Sequence, residues 1–94
     1  MRLTNFEIQS IKKIVENSDD EAEVYLFGSR VDNAKRGGDI DLLVLSDKLK
    51  KMDIYDIKEK LYIEIGEQKI DIVLSKKEVE DTFVKYIFEE AVRL

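Results

Sequence analysis

The chain lacks two residue types on which many protein sites depend, because it has no cysteine and no histidine among its 94 residues. The absence of cysteine excludes disulfides and thiolate metal ligands. The absence of histidine excludes imidazole ligands, histidine-based triads and imidazole acid–base catalysis. Any chemistry must therefore use carboxylates, hydroxyl groups, lysine or arginine.

Long apolar runs and an excess of positive charge are also missing. The longest apolar runs reach about a quarter of a membrane span, and no charged-then-apolar leader opens the chain, so we expect a cytoplasmic protein with no membrane partner. The net charge is −5. Because affinity for nucleic acid comes chiefly from lysine and arginine side chains that neutralise phosphates, this charge disfavours direct binding of nucleic acid.

The composition that is present describes one globular domain over residues 1–94. Hydrophobic residues make up 44% of the chain and charged residues 39%, a balance typical of globular rather than disordered proteins. A chain of this length supports one modest core and leaves no room for a second domain that selects a substrate. The substrate is therefore expected to bind largely from outside.

Apolar residues at helical spacing predict three main helices. Thr4 and Glu7 have the spacing of a capping box, so the first helix is expected from about Asn5 to Asn17. The second contains the apolar series from Ile54 to Ile65 and closes near Gly66. The last is expected after a second capping box formed by Ser75 and Glu78. Its predicted apolar face comprises Val79, Phe83, Ile87 and Ala91, widened by Tyr86, Phe88 and Val92.

Three strands are predicted between these helices. They are the segments EVYLF, DIDLLVLS and KIDIVLS, and a short helix from Ser29 to Ala34 is expected after the first. The middle segment is apolar on both faces, which is typical of a central strand. The element order α-β-(α)-β-α-β-α predicts an α/β (α+β) fold in which helices cover a small, mixed, three-stranded sheet.

Three aspartates are expected to converge at one end of this sheet. Asp39 and Asp41 lie two residues apart, so their side chains point to the same face. The connection from Gly28 to Asp39 is short for a parallel crossover, which favours an antiparallel first pair of strands, whereas the helix before Asp71 is long enough for a parallel crossover. Asp71 is therefore expected to join the pair.

Such a cluster of carboxylates predicts a cation site. Asp39, Asp41 and Asp71 would repel one another unless a metal compensates them, and oxygen-only ligands suit Mg²⁺ or Mn²⁺. Magnesium commonly recruits phosphates as further ligands. The turn Gly28-Ser29-Arg30 could hold those phosphates through its backbone amides, the serine hydroxyl and the guanidinium charge. We therefore predict a site for a metal-bound nucleoside triphosphate.

The combined motif resembles the DNA polymerase β-type nucleotidyltransferase superfamily. It consists of Gly28-Ser29-Arg30, then eight residues, then Asp39-Ile40-Asp41 before Leu-Leu-Val, with Asp71 in a later IDIV segment. Over its whole length the chain looks like a minimal nucleotidyltransferase, the MNT or MntA-like antitoxins that are paired with HEPN-domain toxins.

The resemblance implies a role for each motif residue. Gly28 and Ser29 would hold the triphosphate, Asp39 and Asp41 would bind metal, and Asp71 would help to activate the attacking hydroxyl. Two features depart from the family pattern: the serine-to-aspartate spacing is slightly short, and Val-Asp-Asn follows Arg30 where a small residue, arginine and glycine are common. Arg30 is therefore expected to meet the phosphates alone or with Lys35 or Arg36.

Three functions are compatible with these residues. The favoured hypothesis is transfer of AMP from Mg-ATP to a tyrosine hydroxyl of a cognate HEPN toxin, which would silence the toxin within a hetero-oligomer. The second is an antitoxin that acts by binding alone, and the third is transfer to a small molecule. The three acids on an apolar sheet argue against the second hypothesis, and the lack of a further substrate domain argues against the third.

Overall fold

A computed structural model describes residues 1–34, 38–66 and 68–94. It contains three α-helices, four β-strands and one turn of 3-10 helix in these ranges. In chain order they are α1 Asn5–Ser18, β1 Glu23–Phe27, the 3-10 turn Gly28–Val31, β2 Ile40–Leu45, α2 Lys51–Ile65, β3 Ile70–Ser75, α3 Thr82–Glu90 and β4 Val92–Arg93. None of the helices in these ranges combines the length and apolar character needed to span a bilayer. Lys35 and Arg36, expected to assist at the phosphates, lie outside the described residues.

The sheet has the strand order β3-β2-β1-β4. Strand β1 runs antiparallel to both β2 and β4, and β2 runs parallel to β3. The predicted antiparallel and parallel pairings are therefore confirmed, and β2 is central as expected. The predicted number of three strands is wrong, because β4 adds a fourth. This strand has only two residues, both exposed, so it has no apolar alternation from which a strand could be predicted.

Helices α1 and α2 cover one face of the sheet. Ile11 and Val15 of α1 and Ile57 and Leu61 of α2 are buried against inward-facing strand residues such as Leu42. The alternation of β2 sends Leu43 and Leu45 to the opposite face. There a second, smaller cluster forms with α3. The nine-residue helix α3 packs on this second face.

The first helix begins as predicted. The Thr4 hydroxyl accepts from the Glu7 amide at 3.1 Å, and the Glu7 carboxylate accepts from the Thr4 amide at 2.8 Å. This reciprocal pair satisfies two amides that a helix start otherwise leaves without partners. The second helix ends as predicted at Gly66, which has φ +91°.

The prediction for the start of α3 is wrong. The helix is capped by Asp81, whose carboxylate accepts from the Val84 amide at 3.1 Å, whereas Ser75 is the last residue of β3. Of the predicted apolar face, Ile87 is buried as expected, but Phe83 is exposed and its neighbour Val84 is buried instead. Ala91 and Val92, expected on the helix face, lie beyond the end of α3.

Candidate active site

The candidate site lies where one strand ends and two others begin. Because β1 is antiparallel to β2 and β2 is parallel to β3, the end of β1 lies beside the starts of both other strands. Phe27 is opposite Asp41 in the first pair, and Asp41 is opposite Asp71 in the second. The predicted convergence of Asp41 and Asp71 next to the Gly28 turn is therefore confirmed. By strand alternation both carboxylates lie on the face that carries α3.

The surroundings of Asp41 disfavour the charged form of its carboxyl group. Its side chain is partly buried, and burial, together with the neighbouring carboxylates of Asp71 and Asp39, raises its pKa. Lys69 opposes this effect. A raised pKa means that the negative charge of Asp41 is unfavourable in the folded protein without a compensating cation.

Asp39 has a lysine partner in this structure. Its Oδ2 lies 3.5 Å from the Lys69 Nζ, and both side chains are substantially exposed. An exposed pair of this kind contributes about 0–1 kcal/mol and is easily exchanged for another cation. The ion pair therefore leaves Asp39 available to a metal.

Gly28 brings the backbone of the turn against Asp41. Its φ is +79°, a conformation that residues with a side chain rarely adopt. A Cβ at this position would overlap the Asp41 carboxylate. The glycine therefore meets two requirements at once, the shape of the turn and the space beside the carboxylate.

A second glycine makes the same kind of contact with Ser29. Gly38 has φ +89°, and a Cβ there would overlap the Ser29 hydroxyl oxygen. Gly38 was not identified as a site residue from the sequence. The sequence signal was present, because Gly38 immediately precedes Asp39, but the contact with Ser29 depends on how the connection folds back.

The Arg30 guanidinium is hydrogen-bonded within the protein. Its Nε donates to the Gly38 carbonyl at 3.3 Å, its Nη1 to the Arg2 carbonyl at 3.1 Å and its Nη2 to the Gln68 Oε1 at 3.4 Å. These bonds hold the guanidinium beside the turn, and its contact with phosphates stays a prediction. Arg2 and Gln68 were not recognised in the sequence, since neither belongs to a motif or a periodic pattern.

The donor set fits a hard divalent cation such as Mg²⁺. The acids at the strand ends offer only oxygen atoms, and the raised pKa of Asp41 identifies a charge that a cation would relieve. Among the described residues, however, no three acidic side chains form a group that could hold a metal ion, so the predicted three-aspartate cluster of Asp39, Asp41 and Asp71 is not found there. The protein would therefore supply part of the coordination, and phosphate oxygens or water would complete it.

A small pocket of about 130 Å³ adjoins the turn. Phe27, Gly28, Tyr86, Ile87 and Glu90 line it, so it lies between the end of β1 and the last turns of α3. The pocket is much smaller than the roughly 300–1,000 Å³ typical of small-molecule sites. It can accept a ring or a side chain, but it cannot enclose a whole nucleotide.

The chain matches a protein-family model over most of its length. The family model described as "Polymerase beta, Nucleotidyltransferase" matches residues 9–94, which include the turn and all three aspartates. The small mixed sheet and its helices are consistent with that fold. No curated protein matches the chain.

Proposed function

The chain belongs to the polymerase beta nucleotidyltransferase family, and we propose from that premise that it transfers AMP from Mg-ATP to a tyrosine hydroxyl of a partner protein. One observation carries the proposal: Asp41 lies directly opposite Asp71 and in contact range of the Gly28 backbone. This places acids from two strands beside a turn that can approach a phosphate closely.

The turn would hold the triphosphate. Gly28 has no Cβ to fill the space beside the Asp41 carboxylate, and the Ser29 hydroxyl and the amides of the 3-10 turn can donate to phosphate oxygens. Arg30 contributes positive charge beside them. Each of these groups alone would bind the triphosphate weakly. Because one short segment holds all of them, they would bind it together.

The acids would have different roles. Asp39 and Asp41 would ligate magnesium, which when bound offsets charge on the phosphates and on the departing pyrophosphate. Asp71 would orient the acceptor hydroxyl and take its proton as the oxygen bonds to the α-phosphorus and the bond to pyrophosphate breaks. The proton thus passes to a carboxylate, and no further reactant is needed.

A protein acceptor suits the size of this site. The pocket beside the turn is too small to select a whole sugar or drug by enclosure, whereas a protein can position its own hydroxyl through contacts elsewhere on both surfaces. The resemblance to minimal nucleotidyltransferase antitoxins supports a HEPN-type toxin as this partner, in a hetero-oligomer. Neutralisation would then follow from modification of the toxin.

Replacing Asp41 with asparagine tests the proposal. The change preserves side-chain shape and removes the charge, so we expect Mg-ATP binding measured by calorimetry, or AMP labelling of the partner measured by mass spectrometry, to be lost. Folding should be retained, and the free energy of unfolding should rise because repulsion with Asp71 and Asp39 is removed. Asp56→Asn is the matched control, since Asp56 is an exposed residue of α2 that pairs with Lys60. Equal binding and labelling in wild type and Asp41→Asn would contradict the assignment.

A second pair of measurements separates the alternatives. Ser29→Ala combined with Asp39→Asn should abolish labelling and, with it, neutralisation of the toxin. If this double variant neutralises the toxin as well as wild type does, an antitoxin that acts by binding alone is the better account. If the label appears on a small hydroxylated compound, the enzyme acts on small molecules.

A further inference from the structure

The segment before α1 is hydrogen-bonded to the 3-10 turn Gly28–Val31. The Arg2 amide donates to the Arg30 carbonyl at 2.7 Å, and the Arg30 Nη1 donates back to the Arg2 carbonyl at 3.1 Å. These two residues are 28 positions apart in sequence. The reciprocal pair therefore joins the start of the described chain to the turn at the end of β1.

The Arg2 side chain makes two more contacts with the same turn. Its Nη2 donates to the Ser29 carbonyl and its Nε to the Asp32 carbonyl, both at 3.1 Å. Three carbonyls of the segment from Ser29 to Asp32 thus accept hydrogen bonds from Arg2. A planar guanidinium presents these donors at fixed angles, so it constrains the orientation of the peptide groups and not only their position.

The other side of the turn is held through Arg30. Its Nη2 reaches the Gln68 Oε1 at 3.4 Å, and the Gln68 Nε2 donates to the Glu7 Oε2 at 2.9 Å. Burial raises the pKa of Glu7, but the hydrogen bonds from Thr4 and Gln68 outweigh burial and hold the pKa below its usual value. A charged carboxylate therefore anchors this connection at the first turn of α1, close to the start of β3.

We propose that Arg2 is a positioning residue for the nucleotide site, through a contact set with Arg30 and Gln68 that we call the arginine brace. The inference rests on the proposed function. The brace fixes the carbonyls of the turn, so the amides and the Ser29 hydroxyl are oriented before a phosphate arrives. Arg30 then acts chiefly by holding the turn, because three of its N–H donors already have protein acceptors.

The test compares Arg2→Ala, Arg2→Lys and the matched control Arg93→Ala. Arg93 pairs with Glu23 at the opposite end of β1, and its side chain is exposed. Hydrogen exchange in nucleotide-free protein should become faster over 28–32 in Arg2→Ala and remain unchanged over α2 and β3. Calorimetry with Mg-ATP should show about tenfold weaker binding, because the turn must then become ordered on binding and this ordering costs free energy. Arg2→Lys should change exchange and affinity less than Arg2→Ala does, because a lysine ammonium group can replace part of the hydrogen bonding of the guanidinium group.

The outcomes separate the brace from the proposed function. Wild-type protein that fails to bind Mg-ATP would overturn both the proposed function and the positioning role. Wild-type binding together with unchanged affinity in Arg2→Ala would overturn the positioning role alone, as would unchanged exchange over 28–32. Faster exchange, weaker binding and partial recovery by lysine, with Arg93→Ala equal to wild type, would support it. Guanidinium ion at millimolar concentration should also restore binding to Arg2→Ala, which a general loss of stability would not allow.

Discussion

At the scale of single residues, two glycines and three aspartates define the candidate site. Gly28 leaves room for the Asp41 carboxylate, and Gly38 leaves room for the Ser29 hydroxyl. The aspartates carry the proposed chemistry, but they do not by themselves reveal the need for these two glycines. The side chains that are missing at residues 28 and 38 therefore shape the site as much as those that are present.

Gly28→Ala should impair both stability and nucleotide binding. A positive φ costs a residue with a Cβ about 1–2 kcal/mol, and the added atom would overlap Asp41. Gly66→Ala is a close control, because Gly66 also has a positive φ but an added Cβ would have no neighbour within 4 Å. Chemical denaturation should show both variants destabilised, while calorimetry should show loss of Mg-ATP binding only in Gly28→Ala. Normal binding by Gly28→Ala would refute the close approach of the turn to a phosphate.

Asp71→Asn should separate acceptor activation from metal binding. A general base typically contributes about 10²–10⁴-fold to the rate, so transfer of AMP should fall by about two orders of magnitude or more. Mg-ATP affinity, measured by calorimetry, should change far less than in Asp41→Asn. Equal losses of affinity in the two variants would make Asp71 a metal ligand, and unchanged transfer would make its role structural.

At the scale of secondary-structure elements, a buried polar link joins α1 to the end of β2. Asp19, only 4% exposed, follows α1 and accepts the Ser46 hydroxyl hydrogen at 2.5 Å. Ser46 follows β2, and its oxygen also accepts from the amides of Lys48 and Leu49 at 3.1 and 2.9 Å. The link fixes the chain between β2 and α2 at the end of the sheet opposite the candidate site.

This link should make stability depend on pH in the acid range. The hydrogen bond from Ser46 lowers the pKa of Asp19 despite its burial. The charged form is therefore favoured by folding, so its contribution is present at neutral pH and is lost as the pH falls below 3.8, the ordinary value, through the lowered one.

Asp19→Asn should thus lower the free energy of unfolding by about 1–3 kcal/mol at neutral pH, the usual range for a hydrogen-bonded buried charge. Urea denaturation at about pH 7 and about pH 3 should show a smaller difference from wild type in acid than at neutral pH. Asp20→Asn provides the control, because Asp20 is the exposed neighbour in the chain. A difference that is constant with pH would contradict the lowered pKa.

Sequence patterns identified most elements, and they predicted the ends of the strands more accurately than the start of α3. Strand β1 was predicted with its observed bounds, and β2 and β3 within one residue at each end, because each is an apolar segment bounded by polar residues. The start of α3 was misplaced because Ser75 and Asp81 are both suitable N-caps by residue type. Local sequence does not decide between them, since β3 extends through Ser75 by pairing with β2.

At the scale of the whole molecule, connection lengths made the main features of the site predictable. A short connection favoured the antiparallel pair and a helix-containing one the parallel pair, and together these place Asp41 beside Asp71. The arginine brace was not predictable in this way. Arg2 lies outside every element, and its contacts are with residues 27 to 30 positions away, so its role depends on the completed fold.

The central position of β2 also has a consequence for the time course of folding. The turn and the three acids come from segments that become neighbours only after β1 and β3 have both paired with β2. Pairing across the α2 crossover closes a long loop, and contacts of this kind form slowly. During refolding from denaturant, helical signal should therefore return before Mg-ATP binding does, and a newly made chain would be structured before it is active.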